Sequence, residues 1–417
     1  MRLNHILILI MTLYVVELRA QTTLNDYRQE VINYSHEMQI ADLATETAEA
    51  DMRRAHKGYL PSLSLGAETS LDFDDNLSRP WAWLAEASLS QTIYSGGSVR
   101  SRVKRQELQH SISEVDRQMA LMDVIYSADK AYWQLSRAES YLAIIREYVA
   151  AVDSLRRVVK RRYDEGYSAK GDLLQIESRI SDAHYQLSSA EQSYHIALHT
   201  FNSLCGRDID SNISLGESIA DIRMMPERES VSEVIEHHPR YQSMRLSVEE
   251  SLWGIKSSIA EFLPTLRASV YGIVQPTTPY IKGGGSKIDG GAVLSLSAPI
   301  YHFGERHEAE RSAKAHHLQQ IALMEQAIDD IELIEGDAWA NIYNARHRVD
   351  VTRESLSIAE ENLEMSIYSY GEGMATILDV LQAQISWLQI SQNAIASYYD
   401  YAMAISSYEY VTAASLH

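Results

Sequence analysis

Cysteine is almost missing from this chain, with Cys205 the only one in 417 residues. A lone thiol allows no disulfide framework, and its position leaves no cysteine to carry a lipid at a mature N-terminus. On an apolar helical stripe it reads as a small core residue. Phenylalanine is nearly as scarce, 4 residues against 25 tyrosines. Tyrosine suits surfaces that are apolar at one end and wet at the other, such as a membrane interface or the wall of a water-filled lumen. Basic charge is short too: 37 Lys and Arg stand against 57 Asp and Glu, a formal charge of −20. That balance argues against nucleic acid as a partner, since phosphate binding needs a basic face. It fits solubility, or a lumen that favours cations.

Long apolar runs are absent beyond the first twenty residues, so no transmembrane helix is expected after them. The opening segment, MRLNHILILIMTLYVVELRA, reads as an export signal over 1–20. Arg2 supplies the positive end, Ile6 to Val16 the apolar run, and Ala20 a plausible last residue before cleavage. Catalytic signatures are missing as well. There is no HExxH, no phosphate-cradling glycine loop and no nucleophile elbow, so no enzyme activity and no cofactor are expected. The histidine pairs His195/His199, His237–His238 and His316–His317 lack a third ligand at metal-site spacing. KGGGSK, Lys282 to Lys287, reads as a flexible loop.

What is present is one plan written twice. YLPSLSL at Tyr59 recurs as FLPTLRA at Phe262, 203 residues on, and SLSQTIYSGG at Ser88 recurs as SLSAPIYHFG at Ser295, 207 on. RYDEGYSAKGDLLQ, Arg162 to Gln175, recurs as SYGEGMATILDVLQ, Ser369 to Gln382, again 207 on. The change in offset marks a length difference between the copies, which belongs in exposed loops, around Asp74–Pro80 and Gln275–Gly290. The copies span 21–206 and 231–417, joined by a linker at 207–230.

The segments flanking those loops alternate with period two, as in Leu63, Leu65, Ala67, Leu71 against Ser64, Gly66, Glu68, Ser70. Four strands are expected, at 60–73, 81–94, 263–275 and 290–301. Each is about the length that crosses a bilayer as a tilted strand. Tyr59, Tyr94, Phe262 and Tyr301 fall at the strand ends away from the loops, hence at one level, as an aromatic girdle would.

The remainder is helix with a heptad seam. Ile176, Ile180, Ala183, Leu187, Ala190, Tyr194 and Ala197 step by four and three, and Val380 to Val411 repeats that register 207 residues later. No proline interrupts Ser98 to Asp164 or Glu305 to Gly371. Each could form a helix of roughly 100 Å, far longer than a globular domain uses. The doubled Gly–Asp stretch then falls at helical tips, 163–172 and 370–379. Gly166 and Gly373 would end one helix, and Asp172 and Asp379 would begin the next. Four strands cannot close in lipid, where every backbone group must be paired. Two chains would supply eight strands and three would supply twelve.

Taken together, YLPSLSL, FLPTLRA, SLSAPIYHFG, YDEGYSAKGDLL and YGEGMATILDVLQAQ resemble the TolC-type outer-membrane efflux family. The resemblance implies an α+β membrane protein: a homotrimer with a trimeric 12-stranded transmembrane β-barrel, four strands per chain, continuous with a long coiled-coil α-helical barrel. It implies the outer membrane of a Gram-negative bacterium, with a large periplasmic portion and outer-membrane lipid around the barrel. The expected role is the passive exit duct of a tripartite efflux or type I secretion system. Its partners would be a periplasmic adaptor (membrane fusion) protein and an inner-membrane RND, ABC or major-facilitator pump. By position, adaptor docking would involve Gly166, Tyr167, Asp172, Leu173, Gly373, Met374, Asp379 and Val380. The entrance constriction would involve Asp379, Gln382 and Tyr370. Gln382 stands where the family's best-known member has a second aspartate, and Ala375 where it has a latch arginine, so the closed state is expected to be held differently. The rival reading, a soluble periplasmic coiled-coil scaffold or adaptor, shares the heptads but has no use for four alternating strands.

Overall fold

The computed structural model describes residues 21–71, 81–276 and 286–416. The expected signal segment, the strand end at 72–73 and most of both loops lie outside the described residues. Along the chain run α1 (Leu24–Tyr34), α2 (His36–His56), a 3-10 turn (Lys57–Tyr59), β1 (Ser62–Leu71), β2 (Trp81–Ser95), α3 (Ser98–Asp164) and α4 (Lys170–Leu204). After the linker come α5 (Val231–His237), α6 (Pro239–Ala260), β3 (Thr265–Pro276), β4 (Ser286–Ser297), α7 (Glu305–Gly371) and α8 (Ile377–Val411). The starts and the ends of α3 and α7 are each 207 residues apart, and so are those of α4 and α8. The sequence offset is therefore carried into helix boundaries without slippage.

The chain forms two compact units, and each takes segments from both copies. One holds the residues up to Gln39, Met119–Ile235 and the chain from Ile331 on; the other holds Ile40–Gln118 and Glu236–Asp330. In the second unit the strands form one antiparallel sheet in the order β1-β2-β3-β4. Among the described residues its outer strands have no further partner.

Four of the expected strand limits need correction. Strand β4 runs Ser286–Ser297 and not 290–301, so Ser286 to Asp289, expected in the loop, belong to the ladder. Gly290 pairs with Gly272, and a Cβ on it would come 3.0 Å from the Tyr271 carbonyl oxygen. A Cβ on Gly291 would come 3.0 Å from the Tyr271 hydroxyl, because that ring lies across the glycine. At the other end Pro299 has no N–H for the ladder, and the strand stops two residues before it. Tyr301 therefore sits past the strand, not at its end. Pro61 and Pro264 act likewise, so β1 and β3 begin at Ser62 and Thr265 rather than at 60 and 263.

The first unit is held by the heptad seam. Ile176, Ala183, Ala190 and Ala197 of α4, and Val380, Ala383, Trp387, Ala394, Tyr401 and Tyr408 of α8, are all buried. They pack on α3 residues such as Ile145, Val152 and Val159 and on α7 residues such as Ile342 and Val349. Tyr27 of α1 stacks on Phe201 at 3.8 Å and donates its hydroxyl to the Phe201 carbonyl, so its one polar atom is satisfied in the core. The linker is bound to this unit through specific groups. Glu217 N–H donates to the Tyr132 hydroxyl (3.0 Å), Ile219 N–H to Ser136 Oγ (2.8 Å) and Glu229 N–H to the Tyr408 hydroxyl (3.0 Å). Arg228 makes a two-pronged bond to the fully buried Glu335, at 3.0 and 2.8 Å. Cys205 lies half-buried just past α4, its thiol raised chiefly by burial, as a small packing residue would be.

Candidate functional site

Pairing register sorts the strand residues onto two chemically different faces. Leu89 lies opposite Leu63 and Val270, and Val270 opposite Ala292, so these four share one face. The same face carries Leu65, Ala67, Ala85, Ala87, Ala268, Val274, Ile288, Leu294 and Leu296 by the period-two rule. The other face carries Ser62, Ser64, Glu68, Glu86, Ser88, Ser90, Arg267, Ser269 and Asp289. Hydroxyl pairs Ser62–Ser90 (2.9 Å) and Ser64–Ser88 (2.8 Å) bridge β1 and β2 there. Leu65 is 84 % and Ile288 76 % exposed, so nothing among the described residues covers the apolar face. In water a patch this size would be a liability; against hydrocarbon it is the required surface.

One irregularity bears on the expected girdle residues. Between Thr92 and Tyr94 the β2–β3 register shifts by one residue, and Tyr94 comes to lie opposite Leu266. Without the bulge Tyr94 would follow Ser88, Ser90 and Thr92 onto the polar face. The extra residue turns it to the apolar face instead. Tyr59, in the 3-10 turn before β1, and Phe262, before β3, flank the same end of the sheet. Tyr301 follows β4 at that end, where its ring meets Phe303, while Phe262 meets His302 edge to face.

At the other candidate site, the tips of the first unit, the two copies build the same turn. Gly166 N–H donates to the Tyr163 carbonyl and Tyr167 N–H to that of Arg162 (3.0 and 2.7 Å). Gly373 and Met374 repeat this with Tyr370 and Ser369 (3.1 and 2.8 Å). Both glycines are left-handed, at φ +81° and +77°. This is the Schellman helix ending, and the positive φ explains the glycine at each site. The next helix starts differently in the two copies. Thr376 and Asp379 form a reciprocal capping box: Asp379 Oδ2 accepts from Thr376 N (2.8 Å) and Oγ1 (2.7 Å), and Asp379 N donates back to Oγ1 (3.4 Å). In the first copy Asp172 Oδ2 accepts only from Ala169 N (3.3 Å), because alanine offers no hydroxyl. The Thr376 bonds hold the exposed Asp379 carboxyl below the usual carboxylate range.

The predicted tip residues divide by exposure. Gly166, Gly373, Asp379 and Gln382 are exposed, Tyr167 and Met374 strongly so at 75 % and 71 %, and Asp172 and Leu173 are half-buried. Val380 is fully buried in the core, so its side chain cannot itself meet a partner in this conformation. Its position on the α8 seam decides this: it is the first seam residue, not a surface one. Tyr370 is buried too. Its ring faces the Arg162 guanidinium at 5.0 Å, and Arg162 Nη1 donates to the Tyr370 carbonyl (2.8 Å). This bridge between the two tips was not visible in the sequence, where the partners stand 208 residues apart. Beside it, α4 and α8 enclose a groove of about 290 Å³ lined by Gln175, Arg179, Asp182, Leu378, Gln382 and Ile385 among others.

Among the described residues no His, Cys, Asp and Glu side chains group as a metal site would need. His199 instead pairs with Asp210, and His317 with Ser251.

Known proteins share this architecture. The chain is 21% identical over 320 residues to the outer membrane efflux protein BepC of Brucella suis, covering 76% of this chain and 69% of that protein. It is 20% identical to the outer membrane protein TolC of Escherichia coli K12, over 92% of this chain and 80% of that one. The crystal structure of the outer membrane protein VceC of Vibrio cholerae superposes with a TM-score of 0.77 at 17% identity, over 93% of this chain and 95% of that one. The family model for outer membrane efflux proteins matches residues 18–207 and 230–406, one match for each copy of the repeat. This chain belongs to the outer membrane efflux protein family, whose channels sit in the outer membrane of Gram-negative bacteria with a large periplasmic portion.

Proposed function

We propose that three copies of this chain close their sheets into one 12-stranded barrel and form a passive exit duct for efflux or type I secretion. The observation that carries this is the sheet itself: one apolar face, one polar face and two outer strands without partners among the described residues. In lipid such edges must be paired, and identical neighbours can pair β4 of one chain with β1 of the next. The polar face then lines a water-filled lumen. A soluble scaffold would leave the apolar face bare.

The tips supply the entrance and the docking surface in this reading. Asp379 from three chains would form a carboxylate ring that concentrates cations and binds multivalent ones. Tyr167, Met374 and the rim of the α4–α8 groove are the exposed groups that an adaptor's helical hairpin would contact, with a pump of the inner membrane supplying the energy. Tyr370 contributes from behind, since its ring holds Arg162 across the two tips. Planar-bilayer recording tests the reading: the purified protein should give discrete cation-selective steps blocked by trivalent cations, and Asp379→Asn should weaken that block. Protein that inserts but never conducts would contradict the duct, and unchanged block would remove Asp379 from the entrance.

A further inference from the structure

A concentration of cations stands out in a chain whose formal charge is −20. Around the girdle end of the sheet, the first copy places Arg53, Arg54 and Lys57 just before β1 and Arg100, Arg102, Lys104 and Arg105 just after β2. No carboxylate interrupts 53–58 or 98–106. The matching stretches of the second copy, 256–261 and 305–313, hold Lys256, Arg306 and Arg311 against Glu261, Glu305, Glu308 and Glu310. The asymmetry is local and opposite to what the helices want. α7 starts with Glu305 and Glu308, which suit the positive end of a helix, whereas α3 has no acid in its first turn and a run of cations in its first two. Something outside the helix must favour them.

The two basic segments belong to one corner of the fold. A Cβ on Gly58 would lie 3.4 Å from Val99 Cγ1, and His56 Nε2 lies 3.3 Å from Glu107 Oε1. Most of the charge is answered within the chain: Arg53 pairs with Glu49, Arg54 with Asp51 at 3.1 Å, Lys104 with Glu107 and Arg105 with Glu250, the last two at 2.6 Å, and Arg100 faces the Trp253 ring at 5.8 Å. Lys57 and Arg102 are exposed and have no ion-pair partner among the described residues. Tyr59 and Tyr94 mark the membrane-interface level immediately beside them. The helices that adjoin the strands, α2, α3, α6 and α7, do so at this end, so in the barrel reading it faces the periplasm, where the lipid leaflet is glycerophospholipid.

We infer that the first-copy corner, centred on Lys57 and Arg102, binds the phosphate headgroup of an anionic glycerophospholipid in the periplasmic leaflet. The inference rests on the barrel reading above. Charge complementarity and continuity with the apolar face and its girdle favour lipid as the occupant. Free phosphate would have no reason to require a site at the membrane level. A trimer would carry three such corners, alternating with the near-neutral corners of the second copy.

The test reconstitutes the full-length protein into phosphatidylcholine vesicles with and without phosphatidylglycerol, then measures by native mass spectrometry which lipid the released oligomer retains. Wild-type protein should retain phosphatidylglycerol preferentially, and Lys57→Gln/Arg102→Gln should lower that preference by tenfold or more, at about fivefold per cation near an anionic surface. Arg306→Gln/Arg311→Gln, at the second-copy corner, should leave it unchanged. Equal loss in both variants, no loss in the first, or displacement of the lipid by excess inorganic phosphate would overturn the assignment. Failure of any form to enter vesicles would count against the barrel instead.

Discussion

Single residues decide how the tips and helix starts are held. Thr376 supplies both the hydroxyl acceptor and one of the donors of the α8 cap, so Thr376→Ala should cost about 1 kcal/mol of local stability. Hydrogen exchange at the amides of the first α8 turn reads this directly. Ala169→Thr should move the first copy the other way, by completing the box that Asp172 only half makes. At the start of α6, His238 accepts from Arg240 N through Nδ1 (3.1 Å) and must be neutral to do so. Burial, helped by Arg240, pushes its pKa down to about 4. Since the folded form binds the proton more weakly than the unfolded one, the stabilisation is complete above pH 6.5, the ordinary histidine value, and is lost as pH falls towards about 4. His238→Asn keeps an acceptor that does not titrate, so melting curves of that variant should lose part of the acid sensitivity across this window. A variant with the wild-type pH profile would show that the cap is not the titrating element.

Elements show where the sequence was legible and where it was not. The seam of α4 and α8 could be read because a 3.5-residue period fixes which side chains face inward, and each of the glycine turns was marked by a residue type that only a left-handed backbone favours. Strand existence was legible from alternation, but β4 was displaced by four residues at its start. Ser286 to Asp289 look like loop residues until they are seen to pair with Pro276 to Ile273. The β2 bulge left no trace in the alternation: position along the strand assigned Tyr94 a level, and only the bulge decides which face it joins. The Arg162–Tyr370 bridge was out of reach, since no local pattern links two residues in different copies. It makes a prediction at this scale. Arg162→Gln removes both the guanidinium on the ring and the bond to the Tyr370 carbonyl, and should loosen the two tips from each other. Single-channel conductance should rise while the amount of assembled oligomer stays the same; unchanged conductance would make the bridge a packing feature only. Arg162→Lys should rescue poorly, because a lysine cannot both span the ring and keep that bond geometry.

For the whole molecule, the chain is incomplete by itself in a specific way. Among the described residues nothing covers its apolar sheet face or pairs its two outer strands, while the helical unit has a packed interior. In the proposed duct, acidic composition, scarce cysteine and abundant tyrosine would follow from one circumstance, a wet lumen and a membrane belt. Four strands per chain leave the number of chains as the quantity that matters. The mass of the intact assembly, measured on protein released from detergent in native mass spectrometry, addresses it directly. A single species of three chains, giving twelve strands, is the result expected here. A stable species of two chains, or a monomer that remains folded in detergent, would contradict it.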